Sequence, residues 1–245
     1  MIVVGVGAQK CATSSIHSFL GKNGAITPGP KELHAFNSNL FTSRKKYLKL
    51  LGFKQDGKTY LEFTPNYLSQ PTSIWNLAKV VPDARIIVSL RDPIERLISA
   101  YHHGVGALMI DSNLTLDSAV REASRGTQKK WVRDLLSIGL YGPQLERLLA
   151  HFPRQQVQLV EFREFTNPTQ GHPVRSELLH FCGLDEALSQ EPPKVNIRGN
   201  WERAQGKANT DLSEETIDFL GGYYKSSNSA TERIFGRPLG WGGQT

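Results

Sequence analysis

The chain alternates short, continuous apolar runs with longer segments in which apolar residues recur every three or four positions. The first pattern is typical of strands that are buried on both faces, and the second is typical of amphipathic helices. Strands are predicted at residues 2–6, 59–63, 85–90 and 157–162. Because a helical pattern follows each strand, we predict an α/β fold whose central parallel sheet is flanked by helices on both faces.

Helical patterns fill most of the chain between and after the predicted strands. We predict helices over residues 13–20, 43–51, 74–81, 93–103, 115–125, 141–152, 173–182, 213–224 and 227–235. The 245 residues contain no internal repeat and no low-complexity linker, and 39% of them are hydrophobic, which is enough for a core. Length and continuity together predict a single domain spanning residues 1–245.

Charge and composition narrow the choice of ligand and compartment. The formal net charge of +6 suits an anionic ligand but is too small to indicate nucleic acid by itself. No apolar run reaches the length of about 18 residues that a membrane span needs, and no basic leader precedes the first strand, so no signal peptide is predicted. The two cysteines, Cys11 and Cys182, lack the spacing of a metal site. We therefore expect a reduced, cytoplasmic protein in which Cys11 is a loop residue and not a nucleophile.

The first junction between a strand and a helix has the chemistry of an anion site. Gly7 loosens the exit from the strand, and Lys10 with the hydroxyls of Thr13, Ser14 and Ser15 surrounds the predicted start of the helix. Unpaired backbone N–H groups and the positive end of the helix dipole favour anions there. We predict a phosphate or sulfate ligand, with Thr13 or Ser14 capping the helix. An ordinary tight turn with a solvated lysine is the alternative.

The loop lacks the usual nucleotide motifs: G-K-S/T is absent, and Lys10 stands where G-x-G-x-x-G has its third glycine. It resembles the 5′-phosphosulfate loop of the sulfotransferases, close to G-x-x-K-x-G-T-S/T, although Ala12 replaces a glycine that is frequent in the family. The resemblance implies that the nucleotide is bound by Gly7, Lys10, Cys11, Ala12, Thr13, Ser14 and Ser15.

A second segment, at residues 31–36, follows two prolines that exclude a helix. It contains Lys31, Glu32 and His34, and taken alone it is an ordinary solvated pair of charges on a loop. The segment resembles the K-E-x-H-x-F motif of the carbohydrate-type sulfotransferases, including those of heparan sulfate, in which the glutamate takes the proton from the acceptor. The resemblance implies that Glu32 is the general base and that Lys31 and His34 contact the acceptor.

The predicted second strand runs into residues 62–67, which resemble the family motif E-K-T-P-x-Y. Tyr67 matches, and the resemblance implies that it contacts the acceptor. Phe63 replaces the lysine, so the role of that lysine is not carried over, and an apolar residue there favours a less anionic acceptor. Without the resemblance, Glu62 is interpreted as a carboxylate at the end of a strand that bonds to a partner with a structural role.

The third strand leads into R-D-P-I-E-R at residues 91–96. Asp92 is predicted to cap the following helix, with Glu95 completing a capping box. Arg91 then lies at the carboxyl end of a strand, where open α/β sheets bind ligands. The pattern resembles the 3′-phosphate motif of the sulfotransferases, in which Arg91 and Ser99 are the matching positions, and a guanidinium and a hydroxyl suit phosphate oxygens. A capped helix with an arginine beside its first turn is the alternative.

Weaker resemblances concern three further residues. His103 lies where several relatives have a histidine near the acceptor, which implies a catalytic role, although a surface histidine is the simpler interpretation. Arg198 and Gly199 lie in an irregular segment where relatives use a glycine-rich basic loop to cover the nucleotide. A solvated loop explains these two residues equally well.

The resemblance implies a P-loop-like domain that transfers the sulfuryl group of 3′-phosphoadenylyl sulfate (PAPS) to an acceptor hydroxyl or amine by in-line displacement. Lys10 would stabilise the leaving phosphate, the product would be adenosine 3′,5′-bisphosphate, and no metal is expected. The acceptor would be a small molecule, a carbohydrate or a peptide. Two alternatives stay open, a P-loop kinase or NTPase and a non-catalytic module for anionic glycans or nucleotides. The first lacks G-K-S/T, and the second is disfavoured by Glu32 beside the anion site.

Overall fold

The computed structural model describes residues 1–37, 42–167, 169, 172–184 and 211–242. Its sheet has four parallel strands in the order β2-β1-β3-β4. The strands are β1 (Ile2–Gly7), β2 (Tyr60–Phe63), β3 (Arg85–Leu90) and β4 (Val157–Glu161). The predicted parallel α/β fold is confirmed, and each strand lies within two residues of its predicted bounds.

Ten α-helices and one short 3₁₀ helix, Arg154–Gln156, are seen in the described residues. The α-helices are α1 (Thr13–Lys22), α2 (Arg44–Leu51), α3 (Pro71–Val80), α4 (Pro93–Gly106), α5 (Leu116–Ser124), α6 (Lys130–Ser137), α7 (Tyr141–Leu149), α8 (Phe162–Thr166), α9 (His172–Phe181) and α10 (Glu214–Phe235).

Helices cover both faces of the sheet, as the apolar strands predict. On one face, α1, α8 and α9 pack against Val3, Leu61 and Ile87 in one hydrophobic cluster. Successive strand residues point to opposite faces, so Glu62 points to the other face, where Tyr47 of α2 contacts it. Apolar side chains on both faces explain why the strands read as continuous hydrophobic runs.

The chain divides into two compact units, each with its own hydrophobic core. The first unit comprises Met1–Leu90 with the described part of residues 144–195 and contains the whole sheet. The second comprises Arg91–Pro143 with the described part of residues 196–245, and its core is formed by α4, α5, α6 and α10. The expectation of one domain over residues 1–245 stays a prediction.

Helix α10 differs from the sequence prediction, because one 22-residue helix replaces the two that were expected over 213–224 and 227–235. Ser227 is the first residue of the second expected helix. Ser227 is instead buried inside the helix, where its hydroxyl accepts a hydrogen bond from the Gly142 amide at 3.0 Å. A tertiary partner for the hydroxyl removes its competition with the helical backbone.

Candidate active site

The loop between β1 and α1 has a left-handed backbone at two residues other than glycine. Lys10 has φ 68° and Ala12 has φ 59°. Ala12 is the N-cap of α1 and makes no side-chain cap, so the predicted capping by Thr13 or Ser14 is wrong: these are the first two helical residues. The first-turn amides of a helix have no intrahelical partner. An N-terminus that no side chain caps therefore fits the predicted anion site.

Contacts from neighbouring strands hold this loop in place. The Ala8 amide donates to the Ser89 carbonyl at 2.7 Å, and the Ser89 hydroxyl donates to the Cys11 carbonyl. Gly7 has φ 153°, and a Cβ there would lie 2.7 Å from the Pro65 carbonyl oxygen, so the position requires glycine. The Cys11 side chain is fully buried, which agrees with a loop residue whose backbone alone can face a ligand.

Two of the predicted hydroxyl ligands are also largely buried. The exposed fraction is 6% for Thr13 and 7% for Ser15. Their amides at the helix N-terminus are therefore the groups best placed to meet an anion, whereas Lys10 and Ser14 are only partly buried and can also offer side-chain donors.

Lys31 connects the segment predicted to carry the general base, residues 31–36, to the first turn of α1. The Lys31 ammonium donates to the Ser14 hydroxyl at 3.0 Å and to Glu32 Oε1 at 3.1 Å. One cation thus joins the first turn of α1 to the predicted general base. It also compensates the negative charge of Glu32 beside a site for anions, which weakens the argument that this carboxylate would repel such a ligand.

The other oxygen of Glu32 faces a histidine that is itself contacted by a third residue. Glu32 Oε2 lies 3.4 Å from His34 Nε2, and Asn37 Nδ2 lies 2.8 Å from His34 Nδ1. Asn37 therefore holds the ring of His34 beside Glu32. The sequence interpretation missed Asn37, and its only signal was a polar residue three positions after the histidine.

Buried polar residues at the end of β2 underlie the same segment. Glu62 is fully buried, and its Oε2 accepts a hydrogen bond from the Thr64 hydroxyl at 2.7 Å. Burial raises the pKa of Glu62 to about 7, although hydrogen bonds from Thr64 and from the Leu33 backbone oppose the shift. The expectation of a structural partner for Glu62 is confirmed.

Two sequence expectations about this region are corrected. Tyr67, predicted to contact the acceptor, has no exposed surface and packs its ring against Phe36 with centroids 5.4 Å apart. Phe63, interpreted as a sign of a less anionic acceptor, is buried in the core beside α1, so it says nothing about an acceptor. Packing demands explain both residues.

The predicted 3′-phosphate motif lies in the second unit. Arg91 directly follows Leu90, the last residue of β3, and its Nε donates to Glu95 Oε2 at 2.8 Å. The predicted Asp92 cap is confirmed, since Asp92 Oδ1 accepts from the Ile94 amide at 2.8 Å and the Glu95 amide at 3.2 Å. Ser99 is half-buried in the second turn of α4.

The remaining predicted site residues gain less support. His103, near the end of α4, is half-buried with its ring 6.2 Å from that of Trp131. Arg198 and Gly199 lie outside the described residues.

Within the described residues, no group of three or more potential metal-ligating His, Cys, Asp or Glu side chains is found. In that same part of the chain, no helix has the length and hydropathy to cross a membrane.

Comparison with known proteins gives several relatives that span nearly the whole chain. Heparan sulfate glucosamine 3-O-sulfotransferase 3A1 of Mus musculus is 24% identical over 97% of this chain. Bifunctional heparan sulfate N-deacetylase/N-sulfotransferase 1 of Caenorhabditis briggsae is 24% identical over 92% of it. A sulfotransferase crystal structure from Alicyclobacillus acidocaldarius superposes with a TM-score of 0.74 and 23% identity, covering 97% of this chain and 96% of that one. The chain is a relative of the sulfotransferases.

This relationship confirms the resemblance inferred from the motifs, and the structural match confirms the sulfotransferase type of α/β fold. No protein-family model matches the chain. The chain spans 63% of the length of the 3-O-sulfotransferase and 29% of the bifunctional enzyme. It therefore corresponds to part of those sulfotransferases and not to their whole length.

Proposed function

We propose that this protein transfers the sulfuryl group of PAPS to a hydroxyl or amine of an acceptor. The observation that carries the proposal is the Lys31 ammonium, which contacts both the Ser14 hydroxyl and Glu32 Oε1. It links a site for an anionic group, at the N-terminus of α1, to a carboxylate that can accept a proton. A transfer enzyme needs both groups within reach of one reacting centre.

The residues present fit the 5′ end of such a donor. The N-terminus of α1 lacks a side-chain cap, so its first-turn amides are available to an anionic group. Lys10 adds a positive charge. We assign the 3′-phosphate to Arg91 and Ser99, whose guanidinium and hydroxyl are suitable donors.

PAPS supplies the sulfuryl group with adenosine 3′,5′-bisphosphate as its leaving group. Glu32 accepts the proton of the acceptor while a new bond forms from the acceptor oxygen or nitrogen to sulfur and the bond from sulfur to the phosphate oxygen breaks. Lys10 stabilises the negative charge that develops on the phosphate. His34 Nε2 lies 3.4 Å from Glu32 Oε2, where a group that orients a general base would lie.

The relatives favour a carbohydrate acceptor, because their names describe sulfation of heparan sulfate. They include both O- and N-sulfotransferases, so hydroxyl and amine acceptors both belong to the proposal. We further propose that the reaction takes place in the cytoplasm, the compartment expected from the sequence.

The test is calorimetric titration with adenosine 3′,5′-bisphosphate and with ADP, both without Mg²⁺. We expect the bisphosphate to bind tightly and ADP weakly. Arg91→Ala should weaken bisphosphate binding about 10- to 100-fold, the value of a charged hydrogen bond, and should change AMP binding little. Arg133→Ala, an exposed arginine of the same unit, is the matched control.

Two results would overturn the proposal. Tight ADP or ATP binding that appears only with Mg²⁺ would indicate a kinase or NTPase. Binding of neither nucleotide, with retained binding of an anionic glycan, would indicate a module without catalysis. Once nucleotide binding is established, transfer of radiolabelled sulfate from PAPS to desulfated heparan sulfate tests the carbohydrate acceptor.

A further inference from the structure

Glu62 is an unusual residue for its position, because an ionisable carboxyl group lies one residue before the end of a strand and is fully buried. Its neighbours on the strand, Leu61 and Phe63, belong to the hydrophobic core on the opposite face of the sheet. An isolated buried carboxylate is strongly unfavourable unless polar groups compensate it. The groups that do so here are the Thr64 and Tyr47 hydroxyls and the backbone of Leu33, which directly follows Glu32.

Hydrogen bonds tie that segment to the end of β2 on either side of Glu32. The Phe63 amide donates to the Lys31 carbonyl at 2.8 Å, and the His34 amide donates to the Thr64 hydroxyl at 3.3 Å. The same Thr64 hydroxyl donates to Glu62 at 2.7 Å. A backbone hydrogen bond from Leu33 also reaches Glu62. Glu62 is thus the acceptor on which the backbone directly after Glu32 depends.

Two aromatic residues complete the surroundings. Tyr47 of α2 donates its hydroxyl to Glu62 Oε1 at 3.4 Å, and its ring packs on Phe36 with centroids 4.9 Å apart. Tyr67, after β2, also packs its ring on Phe36, with centroids 5.4 Å apart. Burial and the charge of Glu62 raise the pKa of both phenols, so both stay protonated.

We infer that Glu62, in its ionised form, is a positioning residue that holds the backbone of residues 33–34 and thereby places Glu32 for proton transfer. The inference rests on the proposed function, in which Glu32 is the base. Glu62 itself lies beneath the segment and takes no part in the chemistry. Its influence passes through the Leu33 amide and through Thr64.

Protonation of Glu62 should loosen the segment, because a neutral carboxyl is a weaker acceptor than a carboxylate. With a pKa of about 7, the group changes charge near neutral pH. The charged groups of the segment itself, Lys31, Glu32 and His34, pair with one another. These residues are the same in wild type and in any variant at residue 62, so a difference between the two isolates Glu62.

The experiment is amide hydrogen exchange of the full chain between pH 5.5 and 8.5, both without ligand and with adenosine 3′,5′-bisphosphate. Rates are corrected for intrinsic exchange at each pH. Wild type is compared with Glu62→Gln and with Glu177→Gln, the same substitution at an exposed position of α9. Thr64→Ser, which keeps the hydroxyl, and Thr64→Val, which removes it, form a second pair.

We expect wild-type protection of residues 32–36 to rise about fivefold or more from pH 6 to pH 8, the difference between a neutral and a charged hydrogen bond. Glu62→Gln should abolish this rise and leave residues 13–20 unchanged. Glu177→Gln and Thr64→Ser should match wild type, and Thr64→Val should match Glu62→Gln. A pH rise that survives in Glu62→Gln, or faster exchange throughout the chain, would overturn the inference. If the variants fail to fold, the pH dependence of protection in wild type is the test by itself.

Kinetics separates this inference from the proposed function. With PAPS and desulfated heparan sulfate as substrates, Glu62→Gln should lower kcat about tenfold, less than the ~10²–10⁴-fold effect of a general base itself. The KM for PAPS should change less than about twofold. Absence of turnover in wild type would count against the proposed function only. The exchange profile would still decide whether Glu62 holds the segment.

Discussion

At the scale of single residues, the bridge made by Lys31 gives Glu32 a testable role. Glu32→Gln keeps the size of the side chain and removes its basicity, so we expect kcat to fall by ~10²–10⁴-fold. Affinity for adenosine 3′,5′-bisphosphate should stay the same or rise, because a negative charge near the anion site is lost. Steady-state kinetics and calorimetry check the two halves, with Glu177→Gln as control. Near-normal kcat with intact nucleotide binding would contradict the assignment.

Sequence reasoning located residues whose spacing along the chain is itself the signal. Lys10, Glu32 and Arg91 stand in short motifs, and the structure brings the first two into neighbouring segments of one unit. Asn37 and Ser89 were missed because their roles arise only from contacts across the fold: Asn37 orients His34, and Ser89 holds a loop 78 residues earlier in the chain. A serine in an otherwise apolar strand was the one available hint.

At the scale of elements, the pairing of β1 with β2 depends on a glycine. Gly5 lies opposite Phe63 in the register, and a Cβ at Gly5 would lie 2.1 Å from the Phe63 ring. Since Phe63 is fully buried, we expect Gly5→Ala to destabilise the protein by about 1–3 kcal/mol, as overpacking does. Gly21→Ala in α1 is the control, because nothing lies within 4 Å of its Cβ.

Urea unfolding measures both variants. Gly21→Ala should stabilise the protein by about 0.5–1 kcal/mol through helix propensity. An unchanged or higher midpoint for Gly5→Ala would mean that the strands shift apart without loss and that Phe63 is not closely packed on β1.

Helices and strands could be predicted from the sequence where a single local pattern determines them. The four strands follow from apolar runs, and α4 begins where Asp92 and Pro93 signal a helix start. The uncapped start of α1 could not be predicted, because Ala12 in a left-handed conformation runs against its intrinsic preference by about 1–2 kcal/mol. Glycine is frequent there in the family, which this backbone explains. The burial of Tyr67 likewise depends on Phe36, 31 positions earlier.

At the scale of the whole molecule, the half-buried His17 and the buried Glu62 oppose each other in their effect on stability. Burial, with a smaller contribution from Lys31, lowers the pKa of His17 to about 4, while burial raises that of Glu62 to about 7. Between pH 4 and 6.5 the unfolded chain binds the proton of His17 more strongly, so stability rises with pH. Between pH 4.5 and 7 the folded chain binds the proton of Glu62 more strongly, so stability falls with pH.

The two contributions should largely cancel in wild type and emerge in single variants. We expect the free energy of unfolding of His17→Gln to fall by about 1 kcal/mol from pH 5 to pH 7, because only Glu62 then contributes to its pH dependence in that window. Glu62→Gln should rise by a similar amount over the same range, since only His17 then acts. Urea unfolding at both pH values measures the differences. Parallel pH profiles for wild type and both variants would contradict this prediction, because they would show that folding shifts the pKa of neither His17 nor Glu62. A gain in stability for Glu62→Gln at pH 8, together with its lower kcat, would show that the buried carboxylate serves function at the expense of stability.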